Sequence, residues 1–324
     1  MFRSSKLRRT YRSPYMCLAP RYLVVVVGPT GVGKTACSIE LAKHLRTEII
    51  SADARQCYQQ MVIGTAQPTQ EAMQGIPHHF INFLPVQALY SAGAFARDAL
   101  ALLESLWKKH QVVLVTGGSG LYIHALCRGL SQVPTVSPAT RARLNACWKR
   151  NGLSVLKRLL AICDPDYYQV VDGNNPQRII RALEVYITTG KPYSMFRRYC
   201  ATNHAFKTIM VGLVREREAL YALIDQRTEV MMRQGLLEEA RALYPYRHYN
   251  ALQTIGYREI FTYLSGECTY REAVTLLKRN TRRYAKRQLT WFKRDQETTW
   301  FHPEHIEELL THVNRILRDT CVRT

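Results

Sequence analysis

The glycine-rich stretch GPTGVGKT at residues 28–35 constrains the fold more than any other feature of the chain. It follows a short apolar, β-branched run at 22–27 and precedes a segment, 34–45, whose apolar residues recur at close to helical spacing. An apolar run without alternation is typical of a strand buried on both faces of a parallel sheet. The stretch therefore predicts a strand, a loop and a helix in succession, the unit of an α/β fold.

The same stretch matches the phosphate-binding pattern GxxxxGK[ST] in full. Its glycines allow the backbone to wrap so that N–H groups and the helix N-terminus face an anion. Lys34 adds a positive charge on the terminal phosphates, and the Thr35 hydroxyl is the predicted ligand of a Mg²⁺ cofactor. The predicted phosphate-binding residues are Gly28, Pro29, Thr30, Gly31, Val32, Gly33, Lys34 and Thr35.

The rest of the chain continues the α/β pattern with one interruption. Further strands are predicted at 47–53, 112–115 and 206–214, and a helix at 92–110. Between these elements the chain becomes helical, polar and rich in Arg. We therefore expect a P-loop-type parallel sheet core flanked by helices over 21–130 and 204–324, a helical insertion lobe over 131–203, and a helical C-terminal region after 214.

Residues 1–20 form a basic extension rich in Arg, Lys and Ser, without any acidic residue. This composition is found in organellar transit peptides, but it also fits a misassigned start with Met16 as the true initiator. We favour the misassigned start.

Charge and cysteine usage indicate the partner and the compartment. Lys and Arg outnumber Asp and Glu by 45 to 25, a formal net charge of +20 that attracts polyanions, nucleic acid above all. A merely soluble basic surface or affinity for anionic lipid is the alternative. Nine scattered cysteines without a CxxC pair indicate reduced thiols and a cytoplasmic protein, and no apolar run is long enough to span a membrane.

The acidic residue that ATP- and GTP-hydrolysing loops or kinases usually have at the end of a neighbouring strand is missing from the obvious place. The run at 112–115 ends in Thr-Gly-Gly-Ser, residues 116–119, whereas an acid, Asp53, follows the run at 47–53. A carboxylate facing a phosphate loop can bind Mg²⁺ or act as a general base on an incoming nucleophile. Asp53 can alternatively cap the turn that follows it.

Several blocks, in order along residues 22–295, resemble one enzyme family, the tRNA dimethylallyltransferases. These blocks are GPTGVGKT, SADARQCYQQMVIGTAQPT, GIPHHFINF, YSAGAFARDAL, GGSGLYIHALCRGL, NNPQRIIRALEVYITTGKPYS, QTIGYREIFTYLSGE and AKRQLTWFKRD. Such enzymes move a five-carbon isoprenoid from dimethylallyl diphosphate to N6 of adenosine 37, beside the tRNA anticodon. Ser119 stands where the family usually has Thr, and Ala54 where it usually has Ser.

The resemblance implies a role for each matching position. The loop would hold a departing diphosphate, with Lys34, Asp53 and Ser119 as catalytic residues and Asp53 as the base. Arg217 or Arg227 would add a second cationic clamp. The implied tRNA contacts are Asp53, Ala54, Arg55, Gln56, Ser119, Arg141, Gln177, Arg178, Ile179, Ile180, Arg181, Gln253, Thr254, Ile255, Gly256, Tyr257 and Arg258. We expect a monomer whose partners are tRNA and dimethylallyl diphosphate.

A basic helix is predicted at 271–294, which carries nine basic side chains and one acid. At 100° per residue, Lys278, Arg279, Arg282, Arg283, Lys286 and Arg287 share one half of the helix. Leu277, Tyr284 and Trp291 lie on the other side, where they can pack on the core. The pattern favours contact with nucleic acid.

Two other functions remain open on the residues alone. The phosphate loop by itself fits a P-loop kinase acting on a small molecule or a nucleotide, although that function gives the basic helix no purpose. The second alternative is a non-catalytic RNA-binding protein whose phosphate loop no longer has a function. Such a protein would need only the positive charge, to bind RNA.

Overall fold

The computed structural model describes residues 20–131, 133–197 and 204–321. The predicted basic extension therefore lies outside the described residues except for Pro20. The chain divides into two compact units. The core unit comprises Met1–Tyr90, Asp98–Gly120 and His204–Thr324, and the helical unit comprises Ser91–Arg97 and Leu121–Asn203. The helical unit thus begins before the predicted lobe at 131.

One six-stranded, wholly parallel sheet forms the centre of the core unit, in the order β3-β2-β4-β1-β5-β6. The predicted fold class is confirmed. Residues 23–27 of the central strand have no solvent exposure, as their uninterrupted apolar run requires. The strands are β1 Arg21–Val27, β2 Ile49–Ser51, β3 His78–His79, β4 Val112–Gly117, β5 Phe206–Leu213 and β6 Thr299–Phe301.

Helices cover both faces of the sheet and build the helical unit. No helix in the described ranges has the length and hydropathy of a membrane span. In chain order they are α1 Lys34–Leu45, α2 Gln70–Met73, α3 Ala92–Leu106, α4 Gly120–Arg128, α5 Pro138–Asn151, α6 Leu153–Cys163, α7 Pro165–Val170, α8 Pro176–Thr189, α9 Tyr193–Phe196, α10 Arg217–Arg233, α11 Leu236–Leu243, α12 Tyr257–Leu264, α13 Tyr270–Phe292 and α14 Ile306–Cys321.

The parallel arrangement brings the functional segments together at the carboxyl ends of the strands. Strand β4 pairs with both β1 and β2, so the segments that follow these three strands leave the same edge. Gly117 permits the close approach of β4 to the chain after β2, because an added Cβ would lie 2.2 Å from the Ala52 carbonyl oxygen. The phosphate loop, Asp53 and Ser119 consequently converge.

The helical unit has its own apolar core. Leu144, Leu156, Leu160 and Leu183 are buried there with neighbours from α5, α6 and α8. Helix α8 begins where the Asn175 side chain accepts a hydrogen bond from the Arg178 N–H, and it ends at Gly190, whose φ of 68° is left-handed. The faces of α8 are therefore fixed by packing.

Candidate active site

The phosphate loop lies between β1 and α1 in a conformation suited to an anion. Gly33 precedes α1 with a φ of 109°, and no side chain caps the helix N-terminus. The Lys34 ammonium donates to the carbonyl oxygens of Gly28 (3.0 Å) and Pro29 (2.8 Å). Burial lowers the pKa of Lys34 to about 8; the Asp53 charge opposes this shift and the Arg227 charge adds to it. The backbone N–H groups at the N-terminus of α1 and the desolvated Lys34 ammonium therefore lie at the same loop, where an anion can bind.

Asp53 follows β2 and uses only one of its carboxylate oxygens within the protein. Its Oδ1 accepts hydrogen bonds from the N–H groups of Arg55 (2.9 Å) and Gln56 (3.4 Å). The other oxygen has no hydrogen-bond partner among the described residues. Asp53 thus caps the following turn and still offers one oxygen to a substrate, so the two roles considered for it are compatible.

Ser119 follows β4 and joins this segment to the chain after β2. Its hydroxyl oxygen accepts from the Ala54 N–H (2.9 Å), and its own N–H donates to the Ala52 carbonyl (3.3 Å). The hydroxyl proton remains available to an acceptor, since a serine hydroxyl donates as well as accepts. No acid stands at this strand end, as the sequence indicated.

Arg227 on α10 is the one of the two predicted clamps that contacts the loop. Its Nη1 donates to the Thr30 hydroxyl at 3.5 Å. Burial lowers the pKa of its guanidinium, and the Asp53 charge opposes that shift. Arg217, the other candidate, is exposed, and its guanidinium lies 5.3 Å from the centre of the Tyr221 ring. Of the two predicted clamps, only Arg227 lines a cavity beside the loop.

Gln288, which the sequence analysis did not single out, reaches the loop from α13. Its Oε1 accepts from the Thr30 N–H (2.8 Å), and its Nε2 donates to the Gly118 carbonyl (2.8 Å). The side chain is buried. A polar residue on the same side of the helix as Leu277 and Tyr284 was the available signal, since buried positions rarely hold an amide without a partner.

Two adjoining cavities open beside Asp53. The loop cavity, of about 540 Å³, is lined by the phosphate loop, Thr35, Arg227 and Gln288. The inner cavity, of about 270 Å³, has a mixed lining, in which the apolar side chains Ile224, Met231 and Leu277 of α10 and α13 lie beside hydroxyl and charged groups, Ser119 and the segment 254–256. Five residues line both cavities: Thr30, Asp53, Thr65, Arg227 and Tyr284. A molecule with a charged end and an apolar end can therefore occupy both, with Asp53 at the boundary.

Two carboxylates fix the backbone of two segments that line the inner cavity, at Gly64 and at Gly256. Glu239 accepts from the N–H groups of residues 62, 63 and 64 (2.8–3.0 Å) and from the Tyr257 hydroxyl (2.7 Å). Glu259 accepts from the Gly256 N–H (2.9 Å) and from the Asn280 amide (2.7 Å). Neither residue was predicted: Glu239 acts through the backbone of a segment distant in sequence, and Glu259 caps its own helix at Gly256 while binding the side chain of the distant Asn280.

Comparison with known proteins identifies the family. The sequence model of the family described as IPP transferase matches residues 56–295. The chain belongs to the IPP transferase family. A tRNA dimethylallyltransferase 1 of Phocaeicola vulgatus is 46% identical over 297 residues, covering 92% of this chain and 99% of the relative. A tRNA dimethylallyltransferase of Cytophaga hutchinsonii is 46% identical over 304 residues, covering 94% and 100%.

Solved structures of IPP transferases share the fold. A tRNA isopentenylpyrophosphate transferase of Bacillus halodurans is 37% identical, with a TM-score of 0.69 over 92% of this chain and 97% of that one. A eukaryotic dimethylallyltransferase acting on tRNA is 27% identical, with a TM-score of 0.69 over 84% and 69%. The resemblance seen in the sequence is confirmed.

Several of the predicted tRNA contacts of this IPP transferase line the cavities. Ala54, Arg55, Thr254, Ile255 and Gly256 face the inner cavity, and Gln56 faces the loop cavity. The Gln56 amide, however, donates to the carbonyls of residues 65 and 66 (3.3 and 3.0 Å), so it fixes the backbone of two residues that line the loop cavity. Gln253 and Arg258 are exposed.

Three of the predicted tRNA contacts need correction. Ile179 and Ile180 are fully buried in the core of the helical unit, so their side chains cannot reach RNA. Tyr257 is fully buried too, and its hydroxyl donates to Glu239. Tyr58, close in sequence to the predicted contacts 53–56, is buried as well, and its hydroxyl donates to the Ala88 carbonyl (3.1 Å). All four side chains pack within their units.

Other predicted contacts in the helical unit are placed at its surface. Gln177, Arg178 and Arg141 are exposed, and Arg181 is partly buried. The Arg141 guanidinium donates to both carboxylate oxygens of the buried Glu184, and Arg181 lies 3.6 Å from the same carboxylate. Glu184 thus orients two of the predicted contacts.

The basic helix is α13, and its cations fall into two groups. Lys278 pairs with Glu229 (2.7 Å) and Arg282 with Asp225 (2.8 Å), both on α10, so these two hold the helices together. Exposed basic residues remain on the outer side: Arg279, Arg283, Lys286 and Arg287.

Proposed function

We propose that the chain transfers the dimethylallyl group of dimethylallyl diphosphate to N6 of adenosine 37 in tRNA, yielding N6-isopentenyladenosine and diphosphate. The observation that carries this proposal is the position of Asp53. Asp53 lines both the loop cavity and the inner cavity, and among the described residues only one of its carboxylate oxygens accepts a hydrogen bond. The names of the relatives support the transfer of a dimethylallyl group to tRNA.

The donor fits the two cavities in one orientation. Lys34 and Arg227 offer cationic contacts to the diphosphate in the loop cavity. Apolar side chains of the inner cavity, Ile224, Met231 and Leu277, offer contacts to the five-carbon group. As the bond between C1 and the diphosphate oxygen breaks, negative charge grows on the phosphates, and preorganised cations stabilise that charge.

The acceptor amine approaches C1 from the side of Asp53 and Ser119. The N6 lone pair forms the bond to C1, the C1–O bond electrons leave with the diphosphate, and the free Asp53 oxygen takes the proton that N6 loses. General-base help of this kind contributes roughly 10²- to 10⁴-fold. The Ser119 hydroxyl can hydrogen-bond the acceptor base, as its proton has no acceptor among the described residues.

The residues present fit a Mg²⁺ ion bound with the substrate. Thr35 offers its hydroxyl to the loop cavity, and no group of three or more His, Cys, Asp or Glu in the described ranges forms a separate metal site. Mg²⁺ often binds through substrate phosphates while keeping several waters. When bound, the ion would supply charge neutralisation at the diphosphate oxygens, with Thr35 as its protein ligand.

The exposed basic side of α13 supports tRNA as the acceptor. Its four cations, Arg279, Arg283, Lys286 and Arg287, have spacing suited to phosphates, and such contacts add affinity without reading bases. That the enzyme acts as a monomer in the cytoplasm stays a prediction.

The deciding experiment is mass spectrometry of tRNA nucleosides after incubation with dimethylallyl diphosphate and Mg²⁺. We expect N6-isopentenyladenosine at position 37. Asp53→Asn keeps an oxygen for the turn, so it should lower kcat at least about 100-fold and leave tRNA affinity within about twofold. Equal loss of tRNA affinity would make Asp53 structural. Turnover of ATP without tRNA modification would favour the kinase alternative.

A further inference from the structure

Gln288 is a buried amide with both of its polar ends engaged. It projects from α13, the helix whose outer side is basic, toward the phosphate loop. The Thr30 N–H donates to its oxygen, and its nitrogen donates to the Gly118 carbonyl, each at 2.8 Å. A single side chain therefore connects the loop after β1 to the segment after β4.

The segment after β4 leaves room for this contact through two glycines. A Cβ on Gly118 would lie 2.2 Å from the Gln288 amide nitrogen. A Cβ on Gly120 would lie 2.3 Å from the Trp291 ring, one turn further along α13. A larger residue at Gly118 would displace the Gln288 amide, and one at Gly120 would displace the Trp291 ring, so the contact depends on the small residues of this segment.

Thr30 is held from two sides. Gln288 binds its N–H, and Arg227 donates to its hydroxyl at 3.5 Å. Thr30, Arg227 and Gln288 all line the loop cavity, which also contains Lys34. The position of Thr30 therefore influences the width of that cavity.

We propose that Gln288 is a positioning residue for donor binding: it holds the phosphate loop at a fixed distance from the end of β4, at the width that a diphosphate needs. This inference rests on the proposed function. A neutral amide suits the task because it offers an acceptor to Thr30 and a donor to Gly118. A carboxylate would face the Gly118 carbonyl and add negative charge beside the diphosphate, and an apolar side chain would leave both backbone groups unsatisfied.

The test compares Gln288→Glu and Gln288→Met with the matched control Gln296→Glu, which is exposed beyond α13. Isothermal titration with inorganic diphosphate and Mg²⁺ measures the loop cavity directly, without any transfer. KM for dimethylallyl diphosphate, kcat, tRNA affinity and the melting temperature are measured in parallel. Gly118→Ala, which displaces the amide without removing it, is a second perturbation.

We expect Gln288→Met and Gly118→Ala to weaken diphosphate binding and raise the donor KM about tenfold, since two hydrogen bonds are lost or strained. Gln288→Glu should weaken diphosphate binding more than Gln288→Met does, and it should raise the donor KM more. The affinity for tRNA should stay within about twofold of the wild type in all variants. The control should match the wild type.

Unchanged diphosphate affinity in folded Gln288→Met would overturn the proposal. So would a parallel loss of diphosphate affinity, tRNA affinity and melting temperature, because that pattern marks a residue needed only for folding. If the wild type binds diphosphate but modifies no tRNA, the proposed reaction fails, and the titration still decides the role of Gln288.

Discussion

The pH dependence of donor use tests the electrostatics of the phosphate loop. Burial lowers the pKa of Lys34 to about 8 from the ordinary lysine value of 10.5. The protonated amine is the charged form, so Lys34 is charged below this pKa and loses its charge as the pH rises through about 8. A charged Lys34 favours binding of the diphosphate, which makes donor capture fall at alkaline pH.

The size of the effect follows from the titration of one group. With a pKa of about 8, roughly 91% of Lys34 is charged at pH 7 and roughly 9% at pH 9, a tenfold drop. With an ordinary lysine pKa, roughly 97% would remain charged at pH 9. The quantity kcat/KM for the donor reports groups of the enzyme form that has not yet bound the donor, so it should fall about tenfold between pH 7 and pH 9.

The assay measures kcat/KM for dimethylallyl diphosphate at saturating tRNA from pH 6.5 to 9.5 at constant ionic strength. Lys34→Arg is the matched variant, because a guanidinium keeps its charge across this range. It should be slower than the wild type, yet its profile should lack the decline near pH 8. A flat wild-type profile to pH 9.5, or a decline that survives in Lys34→Arg, would refute the assignment. Bound diphosphate should raise the pKa of Lys34, so kcat should decline at higher pH than kcat/KM.

Three substitutions test the structural contacts. Glu184→Gln removes the charge that Arg141 binds and should lower the stability of the helical unit by about 2 kcal/mol in urea unfolding; an unchanged midpoint would show that the pair contributes nothing. Glu239→Gln turns an amide toward backbone N–H donors and should lower the free energy of unfolding by about 3 kcal/mol in urea unfolding. The matched control is Glu238→Gln, because the Glu238 side chain is exposed. Gly117→Ala places a Cβ 2.2 Å from the Ala52 oxygen and should cost about 3 kcal/mol, seen as a lower melting temperature, whereas wild-type melting would contradict the close approach.

Local patterns in the sequence were sufficient for the phosphate loop and its flanking elements. The strand before Gly28, the helix at Lys34–Leu45 and the missing acid after β4 all depend on residues that adjoin in sequence. Strands β3 and β6 were not predicted, because β3 consists of two histidines and β6 is a short, partly exposed stretch, and neither has the buried apolar character that marked β2.

Contacts between distant segments could not be predicted in the same way. Thr30 and Gln288 are 258 positions apart, and Glu239 binds a segment more than 170 positions before it. An amide such as Gln288 or a carboxylate such as Glu239 can bind many backbone groups, and only the fold shows which of these groups lie within reach. Periodicity would have prevented one error, since Gln177 and Arg181 share a face of α8 while Ile180 points elsewhere.

The proposed reaction agrees with the way the acidic residues are arranged around the phosphate loop. Strand β4 lies directly beside β1, where a metal-binding acid would serve hydrolysis or kinase transfer, but it ends at Gly117 without one. Asp53 comes instead from the segment after β2, the next strand outward, and lines both the loop cavity and the inner cavity. This position is the one that the proposed reaction needs for a base that takes a proton from a nucleophile attacking carbon, with the phosphates departing into the loop cavity.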